Sequence, residues 1–107
     1  MAKISTHALD LTCGRPAAGL AVRLTGPDGL LADIRTDDDG RCGKPLVADP
    51  APGDYTLEFS VGDYFRARGT DSPFLEVVPI RFRVAAGESY HIPLSFTPWA
   101  YSTYRGS

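Results

Sequence analysis

The chain has 107 residues, 43% of them hydrophobic, with Gly 11 and Pro 9; this is a length for one domain over 1–107, which buries roughly 60–70% of its unfolded surface. A formal net charge of −2 without any Lys/Arg run excludes nucleic acid and anionic membrane surfaces as partners, because both need a basic footprint. No 18-residue apolar run occurs and the start, Met1 to Thr6, holds no apolar signal region, so a soluble, unexported, cytoplasmic protein is expected, with Met1 as its initiator.

In chain order, Ile4 to Leu11 is the first candidate strand. Ser5, His7, Leu9 and Leu11 share one face, and Ile4, Thr6, Ala8 and Asp10 the other. The alternation is imperfect, which leaves the buried face open. Thr12 to Gly19 reads as a loop, punctuated by Gly and Pro. Ala21 to Thr25 alternates more clearly, with Val22 and Leu24 inward. Gly26-Pro27-Asp28-Gly29 turns the chain into Leu30 to Thr36. Asp37-Asp38-Asp39-Gly40 is a sharp turn, since Gly accepts positive φ, and Arg41 follows it directly.

Pro45 to Val47 predicts a very short strand, closed by the Pro- and Gly-rich stretch from Asp49 to Asp54. Tyr55 to Val61 is a strong strand, with Tyr55, Leu57, Phe59 and Val61 on one face. Gly62 to Arg68 predicts the one short helix, with Asp63 near its start. Val77 to Val84 places Val78, Ile80, Phe82 and Val84 inward; Pro79 cannot donate to a ladder and so marks an open edge or a bulge. Ser89 to Thr97 places Tyr90, Ile92, Leu94 and Phe96 inward and His91 on the opposite face. Tyr101 to Arg105 is the last strand. Seven or eight short strands, closely spaced turns and one short helix predict an all-β, two-sheet antiparallel β-sandwich.

Few side chains here can carry chemistry. The only histidines are His7 and His91, both within strands. Imidazole titrates near neutrality and can take a proton from water. Arg41 and Arg105 add planar, permanently charged forks that suit imide, carboxylate or urea-like oxygens. Two histidines with arginines suit metal-free hydrolysis of a small anionic substrate. The plainer alternative is that the histidines sit on solvated strand faces and the arginines are surface charges.

Other chemistries lack their residues. Zinc needs three or four ligands at suitable spacing, and Cys13 and Cys42 match neither a zinc pattern nor a CxxC pair. Both are expected as free thiols. No Gly-rich phosphate loop is present, and Asp37-Asp38-Asp39 lacks the spacing of a calcium loop.

Several segments together carry a family resemblance. They are Ser5-Thr6-His7-Ala8-Leu9-Asp10, Gly14-Arg15-Pro16-Ala17, Thr36 to Arg41, Tyr55 to Phe59, Pro73 to Ile80, Tyr90-His91-Ile92-Pro93-Leu94 and Tyr101 to Ser107. With them the chain resembles the 5-hydroxyisourate hydrolases, transthyretin-related enzymes of urate breakdown. The His7 segment, the His91 segment and the terminal Tyr-Arg-Gly-Ser discriminate most; the glycine and proline turns speak only for the fold.

The resemblance implies a transthyretin-like (prealbumin-like) sandwich assembled as a homotetramer, a dimer of dimers, with sites in the cleft where dimers meet. It implies hydrolytic opening of 5-hydroxyisourate without cofactor or metal. His7, His91 and Arg41 are then catalytic; Tyr104, Arg105 and Ser107 join them in binding substrate. It further implies that the first strand and the His91 strand are neighbours, that the last strand flanks the latter, and that Arg41 enters from beyond the opposite edge. Regular alternation would keep Tyr104 and Arg105 from facing one cleft together. Two other functions remain open for such a sandwich: a transthyretin-like small-molecule carrier, and a non-catalytic interaction module.

Overall fold

The computed structural model describes residues 2–106. Its strands are β1 (Lys3–Asp10), β2 (Arg15–Pro16), β3 (Ala21–Gly26), β4 (Gly29–Arg35), β5 (Val47–Ala48), β6 (Gly53–Phe59), β7 (Val78–Val84), β8 (Tyr90–Phe96) and β9 (Tyr101–Thr103), and its helix is α1 (Val61–Ala67). One sheet runs β2-β1-β8-β9, with β5 also paired to β1; the other runs β4-β3-β6-β7. The sandwich agrees with the expected fold. The strand pieces beyond the expected seven or eight are β2 and β5, two residues each. The Gly/Pro signals hid β2, and β5 lies slightly later than Pro45 to Val47 because its register pairs Val47 with Ile4.

The strongest alternations behave as period-2 patterns should. Tyr55, Leu57 and Phe59 of β6 are buried, as are Tyr90, Ile92, Leu94 and Phe96 of β8. Val22 and Leu24 meet them from β3. In β7, Val78 and Val84 are buried while Ile80 and Phe82 are partly covered. β7 ends its sheet, so Pro79 lies on an edge strand, where a missing donor does least harm.

Three local expectations shift. Val61 is not the last residue of a strand but the first of α1, fully buried against the same core. Ser60 closes the ladder by donating its N–H to Ala21 O at 3.0 Å, and the chain coils from there. β9 stops at Thr103 rather than reaching Arg105, although Gly106 still bridges His91. The sheets are antiparallel except at β1 and β8, which run parallel with Ser5 opposite His91 and His7 opposite Pro93.

β1 settles the face that its sequence left open. Ile4, Thr6, Ala8 and Asp10 point inward. The two polar residues are tolerated because each is bonded. Thr6 Oγ1 donates to Ile92 O at 2.7 Å, and Asp10 accepts from Tyr64 Oη at 2.8 Å and from Thr12 N–H at 2.9 Å. Burial and the Asp10 carboxylate hold the Tyr64 hydroxyl protonated well above the usual phenol range. The opposite face, with Ser5 and His7, is therefore turned away from the core.

Among the described residues no helix is long and apolar enough to cross a membrane.

Candidate active site

His7 and His91 come to one place because β1 and β8 are hydrogen-bonded neighbours with matched parity. Inward-facing Ile4, Thr6 and Ala8 alternate with Ser5 and His7; inward-facing Tyr90 and Ile92 flank His91. The parallel register then makes His7 and His91 diagonal neighbours on the outer face of the sheet.

Arg41 arrives from the other side of β1. The turn before it is closed by Asp37, whose carboxylate oxygen accepts the N–H groups of Asp39 at 2.9 Å and Arg41 at 3.0 Å. Gly40 has φ +71°, and its carbonyl accepts the N–H of Ala8 at 2.9 Å. The turn is thus docked on β1 itself. Farther along, Leu46 N–H donates to Ile4 O, so the whole segment after Arg41 follows the strand edge.

These elements enclose an open cavity of about 230 Å³. Its walls include Lys3, Ser5, Arg41, Lys44 and His91. A second hollow beside it, lined by Ser89 and Tyr90, shares Lys3, Ser5, Arg41 and His91. Three cations and no carboxylate on the cavity wall make it a place for an anion. Burial, then the charges of Arg41, His7 and Lys3, hold the pKa of His91 below the usual histidine value. Its neutral form is therefore the resting form near pH 7. Ser5 Oγ lies 2.9 Å from His91 Nδ1.

Not every predicted site residue lines these hollows: His7 stands beside them on the sheet face but is not among their walls. Arg105 lies over the Tyr90 ring at 4.1 Å and donates to Glu88 Oε1 at 3.1 Å and to Ser89 O at 2.9 Å. With Tyr104 it lines a different groove, between β7, β8 and β9, beside Phe82 and Ile92. The expected conflict between the two side chains does not arise there, because the strand ends before them. Tyr104 is 69% exposed. Ser107 lies outside the described residues.

Sequence reasoning passed over Lys3, Ser5 and Lys44. Lys3 and Ser5 carried a usable signal, since they share the parity of His7 along β1. Lys44 carried none, because its position depends on how the loop follows the strand. Among the described residues no three of His, Cys, Asp and Glu are grouped so as to hold a metal ion. Cys13 and Cys42 are free thiols.

A model of the HIUase/Transthyretin family matches residues 4–106. A 5-hydroxyisourate hydrolase from Caulobacter vibrioides is 47% identical, with 100% of both chains aligned. The solved structure of Klebsiella pneumoniae 5-hydroxyisourate hydrolase superposes with a TM-score of 0.89 at 35% identity, covering 100% of both chains. A crystal structure of (S)-allantoin synthase superposes with a TM-score of 0.92 at 36% identity; it covers 99% of this chain, which spans only 44% of that longer one.

Proposed function

The chain belongs to the HIUase/Transthyretin family, and from that premise we propose that it is a 5-hydroxyisourate hydrolase acting in urate degradation. It opens the six-membered ring of its substrate with activated water and yields 2-oxo-4-hydroxy-4-carboxy-5-ureidoimidazoline. The observation that carries this function is the meeting of His91 and Arg41 in one cation-lined cavity, with His7 beside them on the same sheet face.

In the proposed mechanism His7 accepts a proton from water as general base. The hydroxide so formed adds to the carbonyl carbon of the cyclic amide. His91 donates a hydrogen bond to the developing oxyanion. The proton held by His7 passes to the departing ring nitrogen as the C–N bond breaks, which returns His7 to its starting state. Arg41 fixes the substrate oxygens with its fork and offsets their charge. No metal or cofactor takes part.

Residues 1–107 act as one domain, and four copies form a dimer of dimers. Tyr104, Arg105 and Ser107 line the cleft where dimers meet, so each site is built from more than one subunit. The exposure of Tyr104 outside the protomer's own cavity supports that arrangement. Free Cys13 and Cys42 are consistent with a reducing cytoplasm. A carrier or an interaction module has no need for a neutral histidine beside Arg41 in a polar cavity.

The decisive experiment generates 5-hydroxyisourate with urate oxidase and follows its decay by ultraviolet absorbance or circular dichroism. The chain should speed the decay well beyond the spontaneous rate; an unchanged rate leaves the carrier function as the better account.

A further inference from the structure

The geometry points to Ser5 as a positioning residue that sets the tautomer of His91. We infer that Ser5 Oγ–H donates to His91 Nδ1, so that the neutral ring carries its proton on Nε2. This rests on the hydrolase function proposed above and deepens it, because it decides which histidine can be the donor.

The register makes the pairing a property of the backbone. Ser5 is directly opposite His91 in the parallel ladder, both residues are half-buried, and Oγ lies 2.9 Å from Nδ1. A serine hydroxyl has one proton, and a neutral imidazole has one nitrogen that donates and one that accepts. Among the described residues Nδ1 is the one hydrogen-bond partner recorded for Ser5 Oγ. If Nδ1 carried the proton, it would occupy a hydroxyl lone pair and leave the hydroxyl proton without a protein acceptor. Donation from Ser5 satisfies both groups at once.

The opposite edge of the ring is held as well. Gly106 N–H donates to His91 O at 2.6 Å. A Cβ at position 106 would stand 2.8 Å from His91 Cδ2, too close for any side chain without displacing the ring. A half-turn of the imidazole would put a carbon, not Nδ1, against Ser5. The neighbouring cations Arg41 and Lys3 disfavour a doubly protonated ring. His91 therefore rests as a hydrogen-bond donor lining the cavity. It has no free basic nitrogen there, and activation of water falls to His7.

Ring-labelled histidine read by 15N NMR, at a pH above the titration of His91, tests this directly. Wild-type His91 should show a protonated Nε2 and an unprotonated, hydrogen-bonded Nδ1. Ser5→Ala should spread the ring over both tautomers and lower kcat about 10–100-fold, by analogy with groups that orient a metal-bound histidine through its second nitrogen. KM should change little, and Ser5→Thr should restore both tautomer and rate. A wild-type ring protonated on Nδ1, or a Ser5→Ala variant with unaltered tautomer and kcat, overturns the assignment. Because the spectrum needs no substrate, a protein that fails to hydrolyse hydroxyisourate would discredit the function without deciding the tautomer.

Discussion

His91 concentrates most of the chemistry at the residue scale. It touches Ser5 on one edge and Gly106 on the other, and it shares its cavity with Arg41. Substituting His7 or His91 by Ala should cost ~10²–10⁴-fold in the rate of hydroxyisourate decay while leaving the circular dichroism spectrum unchanged. Full activity in either folded variant rules out its assigned role. The charge environment makes a separate, signed prediction. Arg41 is the second cause, after burial, of the low His91 pKa. Arg41→Ala removes a positive charge and should raise that pKa toward the usual value, measured by NMR titration of the ring. A fall, or no change, contradicts the placement of Arg41. Because folding depresses this pKa, the unfolded chain takes up the proton first as pH drops below about 6.5. The contribution of His91 to stability is thus present above that value and lost as pH falls through the folded pKa.

At the level of elements, β1 is where two demands meet. Its outer face carries Ser5 and His7, while its inner face must pack against the second sheet and α1. Asp10 makes that possible. It is 2% exposed and accepts from Tyr64 Oη at 2.8 Å, tying the end of β1 to the helix. Tyr64, Phe65 and Phe96 complete the joint with mutual edge-to-face contacts at 5.2 to 5.5 Å. Asp10→Ala leaves a buried hydroxyl without its acceptor and should cost about 1–3 kcal/mol. For a domain of this size that is a fall in Tm of roughly 4–8 °C per kcal/mol, read by thermal melting. An unchanged Tm would mean that the carboxylate contributes nothing to the joint. Periodicity alone could not orient β1, because Thr6 and Asp10 break the apolar pattern and are buried only through partners on β8 and α1. Periodicity did suffice for β6 and β8, whose inward residues are all apolar.

For the whole molecule, the separation of Tyr104 and Arg105 from the His91 cavity is the informative feature. The chain holds His91 and Arg41 in one cavity, with His7 diagonal to His91 on the same sheet face, and holds Tyr104 and Arg105 in a separate groove beside β7 and β8. An outer sheet face that carries reactive residues in an open hollow gains water exclusion only from another surface. On the proposed dimer of dimers, static light scattering should give the mass of four chains, and dilution that releases single chains should abolish hydrolysis before it alters the circular dichroism spectrum. Full activity in a monodisperse monomer would refute the shared cleft.

The sequence by itself determined the sandwich, the inward residues of β3, β6, β7 and β8, and the small set of residues able to do chemistry, because alternation and residue type are local properties. It also supplied the family resemblance through segments spread along the chain. That resemblance implied that the first strand and the His91 strand are neighbours, but only the tertiary structure decided that β1 and β8 run parallel, that Ser5 therefore faces His91, and that the Gly40 carbonyl docks the turn before Arg41 on Ala8. It also decided that Val61 begins a helix and that β9 ends before Tyr104. Those outcomes depend on which surfaces meet across many intervening residues, and no pattern within a single strand records its neighbour.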